Sequence, residues 1–467
     1  MKKLKYIYVI GAMVSLQSCF VAKPYTRPNL IEIQDQFYRS NELNKDSLST
    51  ANLSWKELFK DEKLQNYIQK ALDNNIDIRI ALQNINSAQA YLKQGKSAYF
   101  PSINAGVNYS FANPSLNGAQ GKSLNDRQNI NQYEWSTNLS WEADIWGKLK
   151  SNERAINASY LQSISVHQAI KSQLVAAIAS SYYQLLAFDE QKRITEKTIQ
   201  NREQSNHTIR LLKDAGNVTE VAVKQTEAQL LSAKSLLLDI ENNIKLLENS
   251  FCILLGENLQ EINRGKLGEQ LLSSQLNTGV PIQLLSNRPD VMAAEYGLIN
   301  AFELTNVARS NFYPSLKISA SGGVQSLNFE SLFNANALFA SLIGSLTQPL
   351  LNGRQIKTQY EVRKAQQEIA LLNYKKSILN SSKEVADALY TYQTNDKKAI
   401  LKKLEFEAYE KATSYSEELL TNGFANYLEV LTARESALNA QLNVVNATFG
   451  KMNAIVQLYK SLGGGWR

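Results

Sequence analysis

The sequence predicts a mainly α-helical fold with a smaller β portion, built from two tandem structural repeats. Three observations lead to this prediction: the chain repeats itself, two long tracts lack proline, and four short segments alternate apolar with polar residues. Proline costs about 3 kcal/mol inside a helix, and strict alternation is typical of a strand with one apolar face. Each repeat is therefore expected to supply two strands and long coiled-coil helices.

The internal repeat is visible as matched motifs in the two halves of the chain. The matched pairs are GKSAYFPSI at 95–103 with ARSNFYPSL at 308–316, DIWGKLK at 144–150 with PLLNGRQIK at 349–357, and the glycines at 216 and 423. A repeated unit of about 210 residues explains all of them. We place the first repeat at 55–260 and the second at 261–467.

The N-terminus reads as an export signal. Residues 1–18 begin with Lys2, Lys3 and Lys5 and continue into a short apolar run, as a signal peptide does. Cys19 follows in the pattern LQSC, which resembles a bacterial lipobox. We expect cleavage before Cys19, attachment of lipid such as palmitate to this cysteine, and a lipid-anchored segment at 19–54. An ordinary leader with an incidental cysteine is the alternative.

The four alternating segments are predicted strands. They lie at about 101–113, 131–145, 314–328 and 337–350. Outside the leader no run of apolar residues is long enough for a membrane-spanning helix, so a membrane role would depend on lipid or on these strands. A small sheet on helices and a membrane barrel both explain the alternation; the flanking Trp and Tyr favour the barrel. Known barrels have at least about eight strands, so several chains would have to share one.

The proline-free tracts predict helices too long for a compact domain. No helix breaker occurs from Gly147 to Lys213 or from Gly353 to Thr421, and each tract would extend roughly 100 Å at about 1.5 Å per residue. Antiparallel coiled-coil packing is the expected use of such helices. Shorter helices are predicted at about 76–98, 218–255, 290–311 and 426–462.

Two glycines interrupt otherwise helical sequence. Gly216, followed by Asn217, and Gly423, followed by Phe424, each stand between a long helix and one that resumes at once. Glycine permits a positive φ, which ends a helix and allows a sharp turn. The glycines therefore predict the tips of two helical hairpins, near 216 and 423.

Composition gives no support for catalysis, metal binding or nucleic-acid binding. The only histidines, His167 and His207, lie far apart without cysteines or acids at metal-ligand spacing, and no P-loop or nucleophile elbow occurs. The formal net charge of +7 is too small to favour nucleic acid. Cys252, in the apolar run FCILL, is expected to be a small buried residue. We expect no enzyme, no cofactor and no metal site.

Taken in order, further motifs resemble the TolC/OprM outer-membrane efflux family, in its lipoprotein (NodT-like) branch. They are KPYTRP after Cys19, SWKELFKDEKLQNYIQKALDNNIDI, LLSNRPDV, FYPSL, QPLLNGR, EVADAL and LYKSLGGGW. The series covers almost the whole chain. The resemblance implies a TolC-like trimeric α/β barrel, with a shared β-barrel in the outer membrane and a helical tunnel across the periplasm.

The resemblance also implies a function and partners. The chain would be the outer-membrane channel of a tripartite efflux system, a passive exit duct for small toxic compounds or drugs. As a homotrimer in outer-membrane lipid, it would meet a periplasmic adaptor (membrane fusion protein) and, through it, an inner-membrane pump of the RND type. The hairpin tips, Gly216, Asn217, Gly423 and Phe424, would contact the adaptor.

In this family the periplasmic aperture lies just past the second hairpin glycine. The corresponding residues here are Leu428, Glu429 and Thr432, the last replacing the Asp that is usual in the family. Three Glu429 carboxylates around an axis would repel one another and attract cations. A solvated charge on the helix surface is the alternative for Glu429.

Two other functions fit part of the sequence. A lipid-anchored coiled-coil spacer without a pore explains Cys19 and the long helices but not the four strands. A type I protein-secretion channel keeps the pore and changes the cargo. The lipoprotein branch usually serves small-molecule pumps, which makes protein cargo the less favoured interpretation.

Overall fold

The structure is a computed structural model that describes residues 22–28, 53–119, 122, 128–270 and 287–467. The helices are α1 Trp55–Leu58, α2 Glu62–Asn74, α3 Ile76–Ser97, α4 Lys148–Asp214, α5 Glu220–Leu255, α6 Pro289–Ser310, α7 Gln355–Thr421 and α8 Tyr427–Ser461. The strands are β1 Ser102–Ala112, β2 Ile130–Ala143, β3 Ser315–Ser326 and β4 Leu338–Thr347. The predicted signal peptide and Cys19 lie outside the described residues.

The predicted fold class, mainly α with four strands and long helices, is confirmed. α4 and α7 have 67 residues each. β4 ends at Thr347, earlier than the expected end near 350, because Pro349 has no N–H to donate to a ladder. Across the described ranges, none of the helices combines the length and apolarity needed to span a membrane.

The chain forms two compact units. The sheet unit comprises 1–28, 86–162 and 295–373, and the helical unit comprises 29–85, 163–294 and 374–467. Neither unit corresponds to one of the predicted repeats, because each takes segments from both. The physical reason in the sheet unit is strand pairing: β2 of the first repeat forms its ladder with β3 of the second.

The sheet is antiparallel, with the strand order β1-β2-β3-β4. Its register places Val107 opposite Trp135, Trp135 opposite Val324, and Val324 opposite Leu338. Because alternate side chains leave opposite faces of a strand, this register puts all four residues on one face. The pairing therefore aligns the apolar sides of all four strands.

A continuous apolar core fills the helical unit. Its largest fully buried members include Phe59, Tyr182, Tyr183 and Phe251. Between 174 and 187 nearly every apolar residue of α4 is buried, so α4 is covered on most sides there and not only along one stripe. Cys252 is fully buried in this core, as predicted.

Asp61 connects three parts of the helical unit. As the N-cap of α2, its Oδ1 accepts the backbone N–H groups of Lys63 at 2.8 Å and Leu64 at 3.2 Å. Its Oδ2 accepts the Tyr182 hydroxyl of α4 at 2.9 Å and the Gln270 amide at 2.7 Å. Burial alone would raise the pKa of Asp61, but these hydrogen bonds outweigh burial and hold the pKa below its usual value.

Candidate functional site

The sheet has one apolar face and one polar face. Large apolar side chains project from the first face and are strongly exposed: Ile103 64%, Val107 78%, Tyr109 59%, Trp135 50%, Leu338 68%, Leu342 75% and Leu346 67%. The opposite face carries mostly serine, asparagine, glutamine, glutamate and lysine, with Ile130, Phe339 and Ile343 as the large apolar exceptions. A contiguous exposed apolar surface of this kind marks an interaction with lipid or protein.

Aromatic side chains cluster at both ends of the sheet. At the end where the strands meet α3 and α4, the Trp141 indole donates to the Tyr99 carbonyl at 2.8 Å, and the Trp146 indole donates to the Pro314 carbonyl at 2.7 Å. At the other end, the Tyr133 ring lies 5.1 Å from Tyr109 and 5.6 Å from Phe329. Aromatic rings with a polar tip prefer the two interfaces of a bilayer, so this arrangement is typical of a membrane-embedded sheet.

The two hairpin tips have the same backbone geometry. Gly216 has a φ of +77° and Gly423 a φ of +76°. At the first tip the Gly216 and Asn217 N–H groups donate to the Lys213 and Leu212 carbonyls. At the second tip Gly423 and Phe424 donate to Leu420 and Leu419 in the same pattern. This is a Schellman motif, in which the left-handed residue is the reason for glycine.

The tips differ in the side chain that follows the glycine. Asn217 stands where the second tip has Phe424, whose side chain is 81% exposed. A free benzyl group at the end of a hairpin is unfavourable in water and suits a protein partner.

The predicted aperture residues lie together on the first turns of α8. Leu428 is 55% exposed, and Glu429 and Thr432 are also exposed. The Thr432 hydroxyl donates to the Leu428 carbonyl at 2.9 Å. Glu429 is paired with the N-cap: Asn426 accepts the Glu429 N–H at 3.1 Å, and its amide donates to the Glu429 carboxylate at 3.2 Å. The structure therefore adds a capping role for Glu429.

Two arginines that the sequence pattern does not single out connect the hairpins near their tips. Arg202 of α4, only 7% exposed, donates to the Gln229 carbonyl of α5 and to the Glu435 carboxylate of α8. Arg434 of α8 binds Ser205 of α4. A cleft of about 830 Å³ between α4, α7 and α8 is lined by both arginines. The sequence carries no signal for either arginine, because the burial of Arg202 and of its neighbour Asn206 is visible only in the folded structure.

Metal ligands do not cluster in the part of the chain that the structure describes. Those residues contain no group of three or more His, Cys, Asp or Glu side chains placed to hold a metal ion.

Comparison with known proteins gives relatives along nearly the whole chain. The chain is 26% identical over 460 residues to the cation efflux system protein CusC of Escherichia coli O6:H1, covering 97% of each chain. It is 26% identical to the probable outer membrane lipoprotein SilC of Salmonella typhimurium, covering 98% of this chain and 97% of SilC. It is also 26% identical to the toluene efflux pump outer membrane protein TtgI of Pseudomonas putida, covering 90% of this chain and 89% of TtgI.

Solved structures share the fold. The outer-membrane channel OprN superposes with a TM-score of 0.88 at 22% identity, covering 96% of this chain and all of OprN (100%). A CusC crystal structure gives a TM-score of 0.85 at 25% identity, with 96% and 100% covered. The sequence pattern of the family described as outer membrane efflux protein matches residues 67–257 and 280–464. The chain therefore belongs to the outer membrane efflux protein family.

Proposed function

We propose that three copies of this chain form the outer-membrane duct of a tripartite efflux system, through which small toxic compounds leave the cell passively. The observation that carries the proposal is the sheet with one exposed apolar face and one polar face. CusC and TtgI are named as efflux proteins, and the proposal assigns the chain no catalytic step.

The apolar face fits the hydrocarbon core of a membrane. Tyr133 and Trp141, from the two aromatic clusters, are eight residues apart on β2. At about 3.4 Å per residue that is roughly 27 Å along the strand, or about 20 Å across a bilayer for a strand tilted by about 40°. An outer-membrane barrel has an apolar band of about 25 Å between its aromatic girdles, which is close to this value.

The edges of the sheet support a shared barrel. β1 pairs only with β2, and β4 only with β3, in the described sheet. Unpaired edge strands expose backbone donors and acceptors, which are costly to leave without partners in lipid. Pairing β4 of one copy with β1 of the next satisfies both edges, and three copies then close a barrel of about twelve strands. The polar faces line its interior.

The hairpins supply the proposed contacts with partner proteins. Gly216, Asn217, Gly423 and Phe424 would meet a periplasmic adaptor of the membrane fusion class, which connects to an inner-membrane pump of the RND type. The exposed Phe424 ring is the main apolar contact. Leu428, Glu429 and Thr432 would form the aperture, with the Glu429 carboxylates favouring cations.

The cargo is proposed at the level of a class. CusC is named for cations and TtgI for toluene, so relatives of similar identity serve chemically unlike compounds. The wall formed by the described polar face mixes polar, charged and apolar side chains and suits no one of these compounds, so the selection is assigned to the pump. A lipid on Cys19 would anchor the chain, in agreement with the lipoprotein name of SilC.

The decisive experiment combines cross-linking with conductance. Asn108→Cys on β1 is combined in turn with Ser341→Cys, Ile343→Cys or Ser345→Cys on β4, all on the polar face. We expect oxidation to give covalent trimers for at least one pair, and the purified trimers to conduct ions in planar bilayers. Each variant with only one of the two introduced cysteines is the control and should run as a monomer on a denaturing gel.

The alternatives predict different results. A coiled-coil spacer without a pore gives no conductance, even for Leu428→Ala with Glu429→Ala. A protein-secretion channel conducts ions, but its deletion leaves sensitivity to small toxic compounds unchanged and retains a secreted protein in the cell.

A further inference from the structure

Residues 22–28, with the sequence AKPYTRP after Val21, form an extended segment that docks on the C-terminal part of α6 within the sheet unit. The Asn306 carboxamide binds the backbone of Lys23 twice: the Lys23 N–H donates to Oδ1 at 3.2 Å, and Nδ2 donates to the Lys23 carbonyl at 3.0 Å. A side chain that pairs with both backbone groups of one residue imitates a neighbouring β-strand. It therefore recognises an extended backbone whatever the side chain at 23.

Asn306 is built into this role by its neighbours. It is 1% exposed. Its Nδ2 also donates to the Glu303 carboxylate at 3.1 Å, and its Oδ1 also accepts from Arg309 at 3.0 Å. Glu303 is held in turn by Arg154 at 3.0 Å. Because each polar atom of the carboxamide has two partners, its orientation is fixed before the segment binds.

Two further contacts hold the rest of the segment. Arg27 forms a bidentate pair with Glu295, with both N–O distances at 2.6 Å, and Glu295 is only 8% exposed. The Tyr25 ring meets Phe302 edge-on at 5.6 Å. Lys23 and Arg27 each precede a proline, which restricts both to extended backbone. The unbound segment is thus already close to its docked shape, which lowers the entropy cost of docking.

We propose that residues 22–28 are a docking strap, held by Asn306 and Glu295, that fixes the N-terminal side of the chain beside Gly147. Ala22 is 6% exposed and lies beside Gly147. A Cβ built on Gly147 would be 3.4 Å from the methyl carbon of Ala22. Gly147 directly follows Trp146 of the aromatic cluster where the strands meet α4. Cys19 precedes Ala22 by three residues, a reach of at most about 10 Å. The strap therefore holds a lipid on Cys19 at the level of this cluster.

This proposal extends the proposed lipid anchor, but its test does not depend on conductance. Full-length protein is purified in detergent, and hydrogen exchange of the Lys23 amide is followed together with chymotryptic cleavage after Tyr25. We expect a protected amide and slow cleavage in the parent protein. Asn306→Ala should speed both by about thirtyfold, because it removes both hydrogen bonds to the Lys23 backbone. Glu295→Ala should speed the cleavage.

A matched control lies on the same helix. Asn300 also uses its amide, donating to the Ala155 carbonyl at 2.8 Å and the Ser159 hydroxyl at 2.9 Å, but it does not contact the strap. Asn300→Ala should leave both rates unchanged, and so should Cys19→Ser, which removes the lipid but no strap contact. Mass spectrometry should show that Asn306→Ala retains its lipid. Fast exchange in the parent protein, or equal release by Asn300→Ala, would overturn the proposal.

Discussion

The Arg434 guanidinium lies 2.6 Å from the Glu417 carboxylate and so joins the two arms of the hairpin whose tip is Gly423. The same guanidinium reaches Ser205 of α4, and Arg202 of α4 reaches back to Glu435 of α8. Two arginines thus connect the first hairpin to the second, close to the proposed aperture. Glu435 and Glu417 are about 45% exposed, so each pair contributes less than the ~1.5–3 kcal/mol of a buried charged hydrogen bond, but together the pairs favour one arrangement of the hairpins.

Removing these arginines should loosen the proposed aperture. Arg202→Ala and Arg434→Ala should each raise the single-channel conductance of purified trimers, and the double variant should raise it further. Arg193→Ala is the control, because Arg193 on α4 pairs with Glu190 of its own helix. Unchanged conductance in the double variant, with trimers intact, would show that the two contacts do not hold the aperture closed.

Glu429 should control the ionic preference of the pore. Glu429→Gln removes the charge and retains an oxygen that can accept the Asn426 amide, so the helix cap should survive. We expect cation-over-anion selectivity, measured from reversal potentials in a salt gradient, to fall clearly. Glu418→Gln, an exposed acid near the same tip on α7, should leave selectivity unchanged. Equal effects of the two variants would assign Glu429 to the helix surface and not to the aperture.

The two faces of β4 should respond oppositely to a charge. Leu342→Arg places a guanidinium on the exposed apolar face and should destabilise membrane insertion by about 2–4 kcal/mol near the bilayer centre. Ser341→Arg, at the adjacent position on the polar face, should insert normally and change only conductance. The readout is the yield of trimers in the membrane fraction, measured on native gels. Normal insertion of Leu342→Arg, or failed insertion of Ser341→Arg, would contradict this assignment of the two faces.

The tip glycines should be needed for backbone conformation alone. A Cβ at Gly216 or Gly423 meets no atom within 4 Å, so there is room for a methyl group, but both residues have a positive φ. Gly216→Ala and Gly423→Ala should each cost about 1 kcal/mol, measured as faster hydrogen exchange at the tip. Gly268→Ala, which has equal space and no positive φ, should cost nothing.

Acid should weaken the helical unit through Asp61. Because the folded-state pKa of Asp61 is lowered, its carboxylate stabilises the fold above the unfolded-state pKa, near pH 4, and this contribution is lost as the pH falls through the folded value. Asp61→Asn should therefore lower the melting temperature at pH 6 and flatten its decline towards pH 3. Asp73→Asn, a substitution at an exposed position of the same helix, should leave the pH dependence of the melting temperature unchanged. If the melting temperatures of Asp61→Asn and the parent protein fell equally between pH 6 and pH 3, the proposed contribution of the Asp61 carboxylate would be wrong.

The sequence could not predict the contacts that hold the candidate site together. Coiled-coil packing, the expected use of α4, buries one stripe of a helix, yet between 174 and 187 nearly every apolar residue of α4 is buried. In the sequence, Arg202 and Asn306 look like ordinary polar helix residues. Hydrophobic periodicity shows which face of one helix is apolar, but it does not show which other segment that helix contacts. Only the positions of Glu435 and Lys23 give these side chains their partners.

The sequence alone determined the features that depend on local physics. Alternation of apolar and polar residues predicted the strands, the absence of proline predicted the long helices, and two glycines that need a positive φ predicted the hairpin tips. The tertiary structure alone decided the strand register that joins the apolar sides into one face, the compact units that mix both repeats, and the docking of 22–28 on α6. Each of these depends on residues far apart in the chain. Such pairing follows from packing and hydrogen bonding across elements, which local propensity does not specify.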